Sequence, residues 1–215
     1  MDILLFGIQG SGKGTQANLL ASKYNLLQFG SGLVLREYAQ NVDSALAEEI
    51  KHDLRAGELV RDDIIFQLLR EFLDKQATGS KPIIFDGLPR NMTQMHILAE
   101  LLNSHGRKFH GVYFDVSVSE TLRRIRSRRH CGECGHAEVL QYPEQKCSIC
   151  GGPLLIREDD QEEKIIMKRF QTFYQHTFPV IAHLMMQKKL EVIEAYKSPD
   201  VIFQMLDTFY APFAS

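Results

Sequence analysis

The feature that most restricts the fold of this chain lies at its start, where ILLF at 3–6 runs directly into GIQGSGKGT at 7–15. An apolar run of strand length, a loop with glycine at 7, 10, 12 and 14, and a helix-period segment from Lys13 to Tyr24 spell strand, loop and helix. Glycines let successive backbone N–H groups turn inward around an anion. The N-terminus of the following helix adds partial positive charge, and Lys13 can reach the outer phosphates of a nucleotide. The common form of this cradle has Ser or Thr directly after the lysine, whereas here Gly14 intervenes before Thr15. The alternative is a flexible glycine turn; the flanking strand and helix favour the cradle.

Four more short apolar runs follow, LLQF at 26–29, PIIFD at 82–86, GVYFDV at 111–116 and LEVIEA at 190–195, separated by helix-period segments. The clearest helix is Val60 to Leu73, with Ile64, Ile65, Leu68, Leu69, Phe72 and Leu73 recurring behind Asp62 and Asp63. Strands alternating with helices predict an α/β fold: an open parallel five-stranded sheet with helices on both faces. Segments 31–60 and 124–157 lie between strands without strand rhythm, so both are expected to be insertions on a core made of 1–30, 61–123 and 158–215. A 44% hydrophobic content suffices for that core, while a net charge of −2 and a pI near 6.4 give no global pull toward nucleic acid or an anionic membrane. Any bound anion must therefore be met by local clusters. MDILLFGIQG is neither signal peptide nor membrane span, and the expectation is a cytoplasmic monomer with neither a nucleic-acid nor a membrane partner.

All four cysteines fall within CGECGHAEVLQYPEQKCSIC at 131–150. The pairs Cys131/Cys134 and Cys147/Cys150 are separated by twelve residues, with glycines at 132, 135, 151 and 152 permitting tight turns around a shared ion. Four thiolates so spaced suit tetrahedral zinc; two disulfides and a redox CxxC are the alternatives, and His130 and His136 are possible substitute ligands. A Cys₄ zinc has no open coordination position, so its role would be structural.

RRIRSRR at 123–129 is the one basic cluster. Arg124 and Arg128 stand four apart and would share one helix face, where like charges repel unless something anionic sits there. The alternatives are a solvated basic surface, above all for Arg123, Arg126 and Arg129, and a nucleic-acid patch, which no interleaved aromatics support.

Five segments taken together resemble the adenylate kinases and their nucleoside monophosphate kinase relatives. GIQGSGKGTQ is similar to the family's GxxGxGKGT followed by Gln, FDGLPRNMTQ at 85–94 to its DGFPRTxxQ, SGLVLR at 31–36 to its TGDxLR, AGELV at 56–60 to its AGxLV, and REDDQEE at 157–163 to its RxDDxxE. The resemblance runs from residue 1 to about 200. It implies reversible phosphoryl transfer from Mg-ATP to AMP, giving two ADP. Such a transfer brings two anions together and develops charge on the equatorial oxygens, so positioned cations do most of the work.

The resemblance implies an ATP side made by Gly10, Ser11, Gly12, Lys13, Gly14 and Thr15, with Arg128 on the transferring phosphates, Arg124 at the ATP end and Lys197 beside adenine. It implies an AMP side in which Arg90 clamps the acceptor phosphate with Arg36, Arg157 and Arg169, while Ser31, Leu59, Val60, Gly87 and Gln94 line the base pocket. Lys13, Arg90, Arg128, Arg157 and Arg169 form the implied catalytic set. Family spacing counted forward from Asp160 lands on Lys168, and counted back from Thr177 lands on Arg169. One extra residue and a helical irregularity are therefore expected between 161 and 169, with Arg169 preferred because a guanidinium fork suits phosphate. Asp86, ending its strand near the cradle, would hold Mg²⁺ through water or cap a helix. Segment 124–157 would be a zinc-bearing lid that closes over ATP.

Several residues depart from the family. Gln9 replaces a loop proline, Leu33 an aspartate, and Ala137, Glu138 and Val139 stand where zinc-bearing relatives carry Thr, Tyr and His. Asn91 replaces Thr and matches the pyrimidine monophosphate kinases, which supplies one alternative function. A zinc-ribbon nucleic-acid binder with a vestigial phosphate loop is the other, and it leaves the arginine set unexplained.

Overall fold

The computed structural model describes residues 1–75, 81–134, 137–139, 146–156 and 160–214. Five parallel strands, β1 (Asp2–Phe6), β2 (Leu27–Gly30), β3 (Ile83–Asp86), β4 (Phe109–Asp115) and β8 (Leu190–Glu194), form one sheet in the order β2-β3-β1-β4-β8. Each lies within two residues of its sequence expectation. The central strand β1 is buried at all five positions, so helices must cover both faces of the sheet. One layer contains α1 (Lys13–Tyr24) and α9 (Pro199–Tyr210), packed on each other; another contains α5 (Met92–Ser104) and α8 (Phe178–Met186). The one charge at the foot of β1, Asp2, is 2% exposed and fully paired: Arg107 grips both its oxygens and the Ile83 N–H donates to it at 2.8 Å.

Between β2 and β3 the chain builds a helical pair, α2 (Ser31–Asn41) and α3 (Ala45–Ala56), and then α4 (Asp62–Lys75). Ser44 starts α3 by accepting the Ala47 N–H at 3.1 Å, and Gly57, left-handed at φ 70°, ends it. After β4, α6 (Val118–Ser127) leads into a small antiparallel sheet of β5 (Arg128–Cys131), β6 (Ala137–Val139) and β7 (Leu154–Leu155), in the order β6-β5-β7.

Two expectations need correction. Arg124 and Arg128 do not share a helix face, because α6 ends at Ser127 and Arg128 is already extended at ψ 137°. Ser127 Oγ bonds the carbonyls of Arg123 and Arg124, both at 3.2 Å, taking up carbonyls that would otherwise call for another helical turn. The helical irregularity is likewise not at 161–169: α7 (Glu163–Thr172) is regular, and a π turn follows at Phe173–Thr177. Pro179 lies in the first turn of α8. A proline there lacks an N–H and crowds the carbonyl four residues back, so widening the preceding turn relieves both faults.

Candidate active site

The phosphate loop is shaped by close packing. Gly10 has φ 85°, and a Cβ there would lie 2.9 Å from Ile125 Cγ1 and 3.1 Å from the Thr121 carbonyl, so α6 rests directly on the loop backbone. Lys13, in the first turn of α1, runs beneath it and donates to the Gly7 carbonyl at 2.6 Å and the Ile8 carbonyl at 3.1 Å. Burial lowers its pKa to about 8; Asp86 opposes the shift while Arg90 and Arg128 reinforce it. These four groups thus share one field. The Asp86 carboxylate faces the start of α1, 3.5 Å from where a Cβ on Gly14 would stand.

On the other side of the loop, Arg124 is tied down rather than free. Its Nε donates to Glu120 at 2.7 Å and its Nη2 to the Ala195 carbonyl at 2.7 Å. Gln16 donates to the Pro199 carbonyl at 2.8 Å, and Lys197 lies 3.8 Å from Glu194. The segment after β8 is therefore a neighbour of both α1 and α6.

The arginines converge through two linking side chains. Arg128 grips Asp160 with Nη2–Oδ2 at 2.6 Å and Nε–Oδ2 at 3.0 Å. Gln9 donates its amide to the same carboxylate, and its carbonyl accepts from Arg169 Nη1 at 3.0 Å. Arg169 also donates to the Leu54 carbonyl at 2.7 Å, whereas Lys168 points outward to the exposed Glu58. Arg90 is half-buried, and loss of solvation together with the facing Arg169 lowers its pKa. Lys13, Arg90, Arg128 and Arg169 thus occupy one region; Arg157 lies outside the described residues.

Ser31, Leu59, Val60, Gly87, Arg90 and Gln94 line a single cleft. Gly87 is left-handed at φ 78°, and a Cβ would fall 2.7 Å from Ser31 Oγ and 3.0 Å from Arg90 Nη2. Its carbonyl accepts from Ser31 Oγ at 2.7 Å and Arg90 Nε at 2.8 Å, which positions both. Arg36, on α2, lies over Gly32. Gln94 is 2% exposed, accepts the Arg90 N–H at 2.7 Å and donates to Asp62 at 2.7 Å.

The four cysteines form no disulfide, and their sulfurs all lie within 4.8 Å of one another. Cys131 and Cys150 sulfurs are 3.4 Å apart, and those of Cys134 and Cys147 are 3.6 Å apart. Tetrahedral Zn–S bonds of about 2.3 Å would set sulfurs about 3.8 Å apart, so the cluster fits the ion. Backbone N–H groups of Glu133 and Cys134 point at Cys131 Sγ, and that of Ile149 at Cys147 Sγ. Such donors stabilise a thiolate: the Cys134 N–H leads the causes that lower the Cys131 pKa to about 7.

A family model described as adenylate kinase matches residues 5–189. The adenylate kinase of Chlamydia trachomatis serovar D is 35% identical over 222 residues, covering 97% of this chain and 90% of that protein. That of Thermosipho africanus is 32% identical over 209 residues, covering 95% and 96%, and that of Geotalea daltonii 32% over 211 residues, covering 96% and 97%. The chain belongs to the adenylate kinase family. Adenylate kinases are ATP:AMP phosphotransferases that work with Mg²⁺, and this enzyme activity displaces the pyrimidine kinase and nucleic-acid alternatives.

The adenylate kinase fold also explains Asn91 without a pyrimidine substrate. Its Oδ1 accepts the Gln94 N–H at 2.7 Å as the N-cap of α5, and its Nδ2 donates to Asp62 at 3.2 Å. Sequence reasoning missed Asp62 and Asp160 as members of the site and met Gln9 only as a departure. Asp160 lies within REDDQEE and Gln9 within GIQGSGKGT, but the motifs assign neither a role, and Asp62 lies outside every quoted motif; all three act on other side chains. Among the described residues no helix is long and apolar enough to cross a membrane.

Proposed function

We propose that the phosphoryl group passes from ATP to AMP at the point where Lys13, Arg128, Arg90 and Arg169 converge, and this convergence is the observation that carries the reading. Lys13 and the loop N–H groups of Gly10 to Thr15 hold the donor phosphates, with Arg124 and Lys197 at the ATP end. Arg90 and Arg169, with Arg36 and Arg157, clamp the AMP phosphate, and Arg128 spans the transferring group. Ser31, Leu59, Val60, Gly87 and Gln94 receive the base. No protein base is needed, because the acceptor phosphate is itself the nucleophile.

Bound Mg²⁺ would neutralise charge on the β- and γ-oxygens, and Asp86 is the carboxylate placed to hold it through water. Residues 31–60 serve as the AMP-binding insertion and 124–157 as the lid over ATP, carried on the core of 1–30, 61–123 and 158–215. Cys131, Cys134, Cys147 and Cys150 hold a zinc ion that shapes the lid and takes no part in the transfer. Four cysteines clustered without a disulfide suit a reducing compartment, which supports a cytoplasmic enzyme; it acts as a monomer without nucleic acid. The test is phosphoryl transfer from Mg-ATP to AMP, CMP, UMP and GMP. AMP is expected to be the best acceptor by a wide margin, and a better pyrimidine acceptor would overturn the specificity.

A further inference from the structure

We infer that Asp62 is a specificity-determining residue: by fixing the orientation of the Gln94 amide, it makes the acceptor site select a 6-amino purine over a 6-oxo purine. The inference rests on the reading above that Gln94 meets the acceptor base. An amide side chain offers two N–H donors and two carbonyl lone pairs, and its two ends can exchange places by a half-turn. Here both ends are constrained. Asp62 Oδ1, which can only accept, takes one N–H of Gln94 Nε2 at 2.7 Å, and the Arg90 backbone N–H, which can only donate, fills one lone pair of Gln94 Oε1 at 2.7 Å.

The half-turned amide would set carbonyl oxygen against carboxylate oxygen and N–H against N–H, in a side chain 2% exposed, where unmet polar groups are costly. Asp62 is itself held in place, since Asn91 Nδ2 donates to its Oδ1 at 3.2 Å while Asn91 Oδ1 caps α5 through the Gln94 N–H at 2.7 Å. Gln94 lines the cleft, and one N–H and one lone pair of its amide remain for the base. Adenine presents an N6 amino donor beside the N1 acceptor and satisfies both. Hypoxanthine and guanine present O6, an acceptor, beside an N1–H donor, so the same two contacts require the half-turned amide. Cytosine shares the amino-beside-acceptor edge of adenine, so this device does not separate CMP from AMP; ring size must do that.

The test compares kcat/KM for AMP and inosine monophosphate in the wild type, Asp62→Asn and Asn91→Ser. Asparagine is isosteric with aspartate and can present either an oxygen or an amino group to Gln94, which removes the constraint on orientation while keeping the shape and a good helix-start residue. Serine at 91 keeps the α5 cap but removes the donor that holds Asp62. The AMP-to-inosine-monophosphate ratio should fall at least about tenfold in Asp62→Asn and by less in Asn91→Ser, with the KM for Mg-ATP unchanged. An unchanged ratio in Asp62→Asn, or an equal loss with both acceptors, would refute the specificity role and leave Asp62 a structural residue. A wild type that did not prefer AMP would instead overturn the underlying assignment of the base pocket.

Discussion

In the parallel sheet, Ile3, Leu4, Phe29, Phe85 and Phe114 are wholly buried, whereas in the small sheet of 128–155 Ile149 is 69% exposed and Leu155 47% exposed. Among the described residues of that small sheet and its turns, the buried side chains are those of Cys131 and Cys147. Apolar area orders the first region, and the second has a sulfur cluster where a core would be. Burial of a large aromatic side chain contributes about 1.5–3 kcal/mol, so the large sheet is stable through many modest terms. A structural zinc site contributes about 10–16 kcal/mol in small peptides, enough to order the small sheet if the proposed ion is bound there. The proposed active site lies where the two regimes meet, because Arg128 leaves β5 of the small sheet to pair with Asp160 beside α7.

The sharpest test of that contrast is a pair of truncations. Phe85→Ala should lower global unfolding free energy by about 3–5 kcal/mol without changing metal content, while Ile149→Ala should stay within about 0.5 kcal/mol, both read by denaturant melts. A large cost at Ile149 would show that the small sheet has an apolar core after all. Next in size, Lys13→Met should lower kcat about 10²–10³-fold with an unchanged melting temperature, because it removes one preorganised cation from the transition state. If Cys150→Ser, assayed below its melting point, lost as much rate as Lys13→Met, the metal would belong to the chemistry and the division would fail.

A smaller effect separates the two regions by pH. Burial holds the Lys13 pKa near 8, so the charged form is lost as pH rises through that value. The kcat/KM for Mg-ATP should then fall about tenfold per pH unit above 8 in the wild type and stay flat in Lys13→Arg. Smallest is the effect of Gln9→Ala, which cuts the link between Asp160 and Arg169. It should lower kcat by about tenfold with little change in either KM, since one positioning hydrogen bond contributes about 1–1.5 kcal/mol.

The strand, loop and helix at 1–24 and the alternation that follows made the five-stranded sheet legible, because periodicity and glycine placement are local properties. The end of α6 was not legible. RRIRSRR has helical composition throughout, and the stop depends on Ser127 bonding back to its own helix and on Asp160, a partner 32 residues away. Spacing alone also could not choose between Lys168 and Arg169. The structure turns Lys168 out to Glu58 and Arg169 in to Gln9, and the irregular turn falls later, beside Pro179. The roles of Gln9, Asp62 and Asp160 were hidden for a different reason: they act by holding other side chains, and neither residue type nor a motif match announces that. Asn91 misled because its identity matched another substrate class, while its position makes it a helix cap.

Hydrogen exchange on one sample, before and after removal of bound metal by a chelator, tests the division most directly. Amides at 128–134 and 146–155 should lose protection while those of β1, β3 and β4 and of the cleft at 87–94 keep it. Loss of protection throughout the parallel sheet, or no change in the small sheet, would contradict the division.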